Sequence, residues 1–194
     1  FFKKIKIIFI SKNLPKKFNL KGNKYLILDD AVDLDNFNLD YSKIKKIKNT
    51  CVYCGSFAKG KGLENIIQIS KFTNKIKFHL YGDFANSSFS KNNINKYKNV
   101  SYKGFVQYRE IPKILSKYNV LLLPCSKKVY VRSKSIEVGN YMSPMKLFDY
   151  LASKKIIVAS NMKVYSHILN KKNSILINSN FPKTWANKIE SIFK

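Results

Sequence analysis

Ser143-Pro-Met-Lys-Leu-Phe-Asp-Tyr-Leu-Ala-Ser-Lys-Lys155 runs directly into Ile156-Ile-Val-Ala-Ser160. Ser143 is a helix-capping residue type, and Pro144 suits a first helical turn, where its missing N–H costs nothing. The run from Lys155 onward is apolar and β-branched, as a buried strand requires. The segment therefore predicts a helix over Pro144–Ser153 followed at once by a strand over Lys155–Ala159. Free N–H groups and the helix dipole make such a helix start attractive to anions. Lys146 and Asp149 are three apart and share one helical face. A diphosphate placed on the helix start would meet Lys146, and Asp149 would accept hydrogen bonds from sugar hydroxyls. The simpler alternative is a capped helix with a solvated Lys–Asp pair.

Working outward, the same alternation recurs. Further strands are expected at Thr50–Cys54, Lys75–Tyr81, Val100–Lys103, Val120–Pro124 and Ser174–Ile177. Further helices are expected at Gly62–Phe72, Tyr108–Lys117, Val164–Leu169 and Pro182–Phe193. This spacing argues for an α/β fold, a doubly wound parallel sheet with helices on both faces. Asn86–Lys98 reads as a surface loop with one helical turn. Residues 1–45 differ: Ile5–Ile10 and Lys24–Leu28 are strand-like, joined by a short polar turn, and a lysine-rich stretch covers Tyr41–Asn49. We read residues 1–45 as the remnant of a preceding domain plus a linker, and 46–194 as one domain. A chain opening on Phe1 is read as a fragment or a processed product.

Hydrophobic residues make up 45% of the 194 residues and aromatic residues 14%, a globular composition. No apolar run approaches the ~20 residues of a membrane span. Net charge is +26, from 37 Lys+Arg against 11 Asp+Glu. Such charge attracts phosphate, nucleic acid or anionic membrane. Yet Arg109 and Arg132 are the only arginines, and the lysines are spread along a chain also rich in Asn, Ile, Tyr and Phe. AT-rich coding yields this composition without functional pressure. Cys51, Cys54 and Cys125 are too few for a disulfide framework. Cys51-Val-Tyr-Cys54 falls in a strand, where positions three apart face opposite ways, so core thiols in a reducing cytoplasm are expected.

Gly55-Ser-Phe-Ala-Lys-Gly-Lys-Gly62 follows a strand and precedes a helix. Its glycines and lysines suit close approach to a phosphate, although it fits neither a Walker nor a G-x-G-x-x-G pattern. Open α/β sheets bind ligands outside the carboxyl ends of their strands. This loop, Tyr81-Gly-Asp83, Gly104-Phe-Val106, Pro124-Cys-Ser126 and Ser143–Asp149 all follow predicted strands, so they should line one crevice. Asp33-Leu-Asp35 spells D-x-D, a metal-binding pattern in some sugar transferases, but its position favours a solvated turn. His79 reads as a core histidine and His167 as a surface one; neither has a partner at triad spacing.

Together these motifs resemble the C-terminal half of a GT-B fold glycosyltransferase of group 1, also called family 4. Ala31-Val-Asp-Leu-Asp-Asn-Phe37 resembles G-V-D-x-x-x-F; Val52–Gly62 resembles G-R-x4-K-G; Leu80–Asp83 resembles a hydrophobic-G-D strand end. Asn99–Val106 resembles N-V-x-F-x-G-x-V, and Ser143–Ala152 resembles P-x-K-x-x-E-Y-M-A. The resemblance implies a nucleotide-sugar donor, held by Gly55, Ser56, Lys61, Gly104, Val106, Ser143, Met145, Lys146 and Asp149. In it Lys61 pairs with the diphosphate, Asp149 binds the ribose, backbone at Gly104–Val106 faces the base, and Ser143, Met145 and Lys146 hold phosphate or donor sugar. It further implies retaining transfer of a hexosyl-type group to a glycan or lipid-linked acceptor, no metal or other cofactor, and a cytoplasmic location, peripheral to the inner membrane face. The catalytic contacts are expected in the preceding domain, leaving this chain inactive alone.

The sequence departs from the family pattern at two places. Ser56 replaces the arginine of G-R-x4-K-G, so that contact is lost or supplied by Lys59. Tyr141 occupies the first acidic position of E-x7-E, with Glu137 out of register. Two alternatives stay open: a lysine-rich module binding nucleic acid or an anionic surface, though RNA-binding signatures are missing, and an inactive nucleotide-binding relative.

Overall fold

A computed structural model describes residues 7–20, 25–40, 43–85, 87–131, 136–178 and 180–194. The outer residues of two expected strands, Ile5, Lys6 and Lys24, lie outside the described residues, as do Tyr41 and Asn86.

The elements follow the chain as β1 (Ile7–Phe9), α1 (Leu14–Lys17), β2 (Tyr25–Ile27), β3 (Thr50–Cys54), α2 (Leu63–Ser70), β4 (Lys77–Tyr81) and α3 (Lys91–Ile94). Then come β5 (Val100–Gly104), α4 (Ile111–Ser116), β6 (Val120–Leu123), α5 (Met145–Ala152), β7 (Ile156–Ser160), β8 (Ile175–Ile177) and α6 (Pro182–Ile192). Six strands form one sheet in the order β5-β4-β3-β6-β7-β8, and every pairing in it is parallel. The expected doubly wound, Rossmann-like sheet is present. All five residues of β3 and all four of β6 are buried, which explains why these central strands read as unbroken apolar runs.

The chain moves outward from β3 to β4 and β5, then returns across β3 to β6 and continues the other way. The loops after β3 and β6 therefore diverge at the middle of the sheet, which is where such folds open a crevice. Two apolar layers sandwich the sheet. One gathers Ile66 and Ile69 of α2, Ile94 of α3 and Trp185 and Ile189 of α6. The other gathers Leu115 of α4 and Leu147 and Tyr150 of α5. Cys51 belongs to the first layer and Cys54 to the second, as strand alternation requires.

The amino-terminal segment departs from expectation. β1 and β2 pair in parallel, and α1 stands where a polar turn was read. A parallel pair needs a crossover of about a dozen residues or more, and Pro15 in the first turn of α1 fits a helical start. The helix expected at Val164–Leu169 is a 3-10 turn at Lys163–Tyr165 instead. Tyr108–Lys117 begins as a 3-10 turn, Tyr108–Glu110, before α4. Asp33 caps a 3-10 turn over Leu34–Phe37: its carboxylate accepts from the Asp35 N–H at 3.1 Å and from Asn36 Nδ2 at 3.0 Å. The D-x-D pattern is thus a capping turn.

Candidate functional site

The loops expected to share a crevice are laced together by backbone hydrogen bonds. The Gly55 N–H donates to the Tyr81 carbonyl at 2.9 Å, Phe57 N–H to Asp83 at 3.0 Å, and Gly82 N–H to Gly104 at 3.0 Å. Ser126 N–H donates to the Gly60 carbonyl at 2.9 Å and Tyr130 N–H to Lys59 at 3.1 Å. The ends of β3, β4, β5 and β6 thus form one continuous rim. Its glycines permit the close approach: a Cβ on Gly60, whose φ is +82°, would lie 2.0 Å from the Lys128 carbonyl oxygen.

Lys146 projects from the first turn of α5 into this rim. Its ammonium lies 3.8 Å from the centroid of the Tyr53 ring and is hydrogen-bonded to the Tyr53 hydroxyl. A Cβ on Gly55 would come within 2.5 Å of Lys146 Nζ, so a side chain at this position would displace the ammonium from its place. Tyr53 also donates to the carbonyls of Ser56 at 2.9 Å and Lys61 at 3.1 Å. One buried phenol therefore shapes the Gly55–Gly62 loop and seats Lys146. The sequence reading missed this residue, although a tyrosine in a fully buried strand must find polar partners. Tyr150 does similar work from α5: its hydroxyl accepts the Cys54 N–H at 3.0 Å, fixing α5 to the end of β3.

Electrostatics at the rim are unbalanced. Burial pulls the Lys146 ammonium down to about 8, and the neighbouring Lys61 ammonium pushes the same way, while Cys125, Cys54 and Asp149 oppose. Lys61 and Lys146 stand at the same loop, the carbonyl of one and the ammonium of the other both bonded to the Tyr53 hydroxyl, and two like charges at one place favour an anion beside them. Asp149 is 5% exposed and accepts a hydrogen bond from the Tyr108 hydroxyl at 3.1 Å. Burial raises its pKa, opposed by the Tyr108 hydrogen bond and by Lys146. Tyr108, missed by the sequence reading, is half exposed and would leave Asp149 available if it swung away. Burial pushes the Cys54 thiol up to about 12 and raises Cys51 and Cys125 as well, so all three are inert, buried thiols.

Several expectations need correction. Ser143 does not cap α5; Pro144 holds the N-cap position without a side-chain bond, and Ser143 Oγ accepts the Asp30 N–H at 3.5 Å instead. Pro144 is extended, with φ −80° and ψ 101°, and Ser143 ties Asp30, just ahead of Ala31–Phe37, to the start of α5. The Lys59 ammonium lies 5.1 Å from the centroid of the Tyr130 ring. Tyr141, at the first acidic position, packs under the Lys17 ammonium at 4.8 Å. His167 does have an acidic partner, Asp29 Oδ2 at 2.8 Å, from too far along the sequence to be read by spacing. Gly104 has φ +101° with open space where a Cβ would point, Val106 is half-buried beside the exposed Phe105, and Met145 is 60% exposed. Ser56 contributes its carbonyl to Tyr53. Among the described residues no group of three or more His, Cys, Asp or Glu is gathered for a metal, and no helix is long and apolar enough to cross a membrane.

Known proteins resemble this chain in sequence or in fold. A protein of Klebsiella pneumoniae, described as an uncharacterized 41.2 kDa protein in the cps region, is 30% identical over 114 residues, covering 54% of this chain and 31% of that protein. A glycosyltransferase from Rickettsia africae ESF-5 superposes with a TM-score of 0.72 at 15% identity, over 99% of this chain and 54% of that one. Anabaena Alr3699/HepE in complex with UDP superposes with a TM-score of 0.73 at 13% identity, over 95% of this chain and 52% of that one. The chain thus spans from about a third to about half the length of these relatives. The family described as Glycosyl transferases group 1 matches residues 48–194. With its GT-B type of fold, the chain belongs to the group 1 glycosyl transferases.

Proposed function

We propose that residues 46–194 form the donor-binding half of a retaining glycosyltransferase, acting with a preceding acceptor-binding domain of which residues 1–45 are the end. The observation that carries this is that the Lys61 carbonyl and the Lys146 ammonium both bond the Tyr53 hydroxyl, which brings the two lysines to one rim at the switch point of the sheet, with Asp149 one turn along α5. A nucleoside diphosphate-sugar fits that charge pattern. Lys61 and Lys146 neutralise the diphosphate, the leaving group of glycosyl transfer. Asp149, freed from Tyr108, accepts hydrogen bonds from the ribose. The backbone of Gly104–Val106 faces the base, and Gly55, Ser56, Ser143 and Met145 border phosphate and donor sugar. UDP bound to Alr3699/HepE supports a uridine diphosphate donor. The group transferred is of hexosyl type, and the acceptor is a glycan or a lipid-linked saccharide, at which the lysine surplus would favour an anionic membrane face. No metal is needed where two ammonium groups meet the diphosphate.

The test is isothermal titration of the chain with UDP, GDP and ADP, repeated with Lys61→Ala and Asp149→Ala. Saturable binding of one nucleotide, weakened at least tenfold in both variants, is expected. Equal binding of all three that fades with salt, or binding unchanged in both variants, would overturn the reading.

A further inference from the structure

A second concavity opens on the other side of the loop after β6. It encloses about 350 Å³ between the carboxyl ends of β6, β7 and β8 and the helices α2 and α6. That volume lies within the usual range for small-molecule sites. The donor rim uses α5, which packs on the opposite face of the sheet. The loop between the two is held by Asn65, whose Nδ2 donates to the Pro124 carbonyl at 2.7 Å and to Ser126 Oγ at 3.3 Å.

The lining has a distinctive chemistry. Among the described residues that line it, Lys127 is the only charged one and none is a carboxylate, and carboxamides from Gln68, Asn161, Asn178 and Asn180 surround it. Asn161 Nδ2 donates to Asn178 Oδ1 at 2.6 Å, which leaves Asn161 Oδ1 to accept and Asn178 Nδ2 to donate. Gln68 Oε1 accepts from Lys71 Nζ at 3.1 Å, which leaves its NH2 to donate. Paired donors and acceptors of this kind match hydroxyl groups, each of which both gives and takes a hydrogen bond. Below them lie Ile69, Ile177 and Trp185, buried apolar groups that suit C–H faces. A nucleotide would want more than one cation; a neutral saccharide wants this mixture of amides over an apolar floor.

We propose that this cavity binds a neutral saccharide unit, separate from any donor sugar. The proposal does not depend on the donor reading, since it rests on different residues on the other face of the sheet.

Trp185 is the single tryptophan of the chain, so its fluorescence reports the cavity directly. Glucose, galactose, N-acetylglucosamine and maltose would be titrated into the full chain at millimolar concentrations, with glycerol as control. A saturable change with at least one sugar is expected, weakened at least tenfold in Asn178→Ala and in Gln68→Leu, both at exposed positions. UDP binding measured by calorimetry should be unchanged in those variants. Should either variant melt early, Asn180→Ala replaces it. No saturable change with any sugar, the same change with glycerol, a response that survives both variants, or one that UDP competes away would each overturn the proposal.

Discussion

Lys146 is held charged against its environment, which makes its site sensitive to pH. Its folded-state pKa, about 8, lies below the ordinary lysine value of 10.5. Between those two values the unfolded chain binds more protons than the folded one, so the cost of burying this charge is full and constant below about 8 and is relieved as pH rises from about 8 toward 10.5. Anion binding has the opposite demand, because only the ammonium form attracts a diphosphate. UDP affinity should therefore fall as pH is raised through about 8, and binding above that pH should take up protons. Calorimetry in two buffers of different ionisation enthalpy would read both effects. Lys146→Ala should bind at least tenfold more weakly and lose the pH dependence; a variant that keeps the same pH profile would show that another group titrates. That Lys61, Lys146 and Asp149 would stand at one rim was legible in the sequence, because the loops and helix start that carry them follow predicted parallel strands. Tyr53 and Tyr108 were not, since a buried or loop tyrosine looks like packing until its hydroxyl is seen to bond Lys61, Lys146 or Asp149.

At the scale of elements, two glycines with left-handed backbone make a controlled comparison. Gly60 has φ +82° and no room, since a Cβ would meet the Lys128 carbonyl oxygen at 2.0 Å. Gly104 has φ +101° and nothing within 4 Å of the same position. Gly104→Ala should cost only the conformational preference, about 1 kcal/mol. Gly60→Ala adds a backbone clash that separates the loop after β3 from the loop after β6, and should cost roughly 2 kcal/mol more. Urea unfolding of the two variants would measure the difference; equal losses would mean that the loop relaxes freely. The β3–α2 and α5–β7 units were legible because apolar runs are separated by clear polar breaks, the glycine-rich Gly55–Gly62 in one and Ser153-Lys-Lys155 in the other. The parallel β1–β2 pair was not, because nothing local distinguishes a turn from a one-turn helix over Leu14–Lys17. Val164–Leu169 shows the same limit: Tyr165 and Leu169 are both buried, a spacing that is met here by a 3-10 turn at Lys163–Tyr165 followed by one turn closed by the Leu169 N–H on the Tyr165 carbonyl at 2.9 Å.

For the whole molecule, charge is the dominant unknown that sequence alone left open. With 37 cations against 11 anions, pairing every acid would still leave a surplus of 26 positive charges, and the folded state brings these closer together than the unfolded chain does. Salt screens that repulsion beyond about 10 Å at 0.1 M. The melting temperature should therefore rise with added sodium chloride. A gain of 1 kcal/mol would appear as about 2–4 °C for a chain of this size. Lys146→Ala removes one charge of many, so it should leave both the salt response and any salt-sensitive binding to duplex DNA nearly intact. It should nevertheless weaken UDP binding at least tenfold at every salt concentration. That separation of effects follows from geometry: DNA senses the summed field of many dispersed lysines, whereas a diphosphate must fit between two. If Lys146→Ala weakened DNA and UDP binding in equal proportion, the rim would be one more part of a diffuse positive surface, and the crevice at the switch point of the sheet would have lost its claim to be a site.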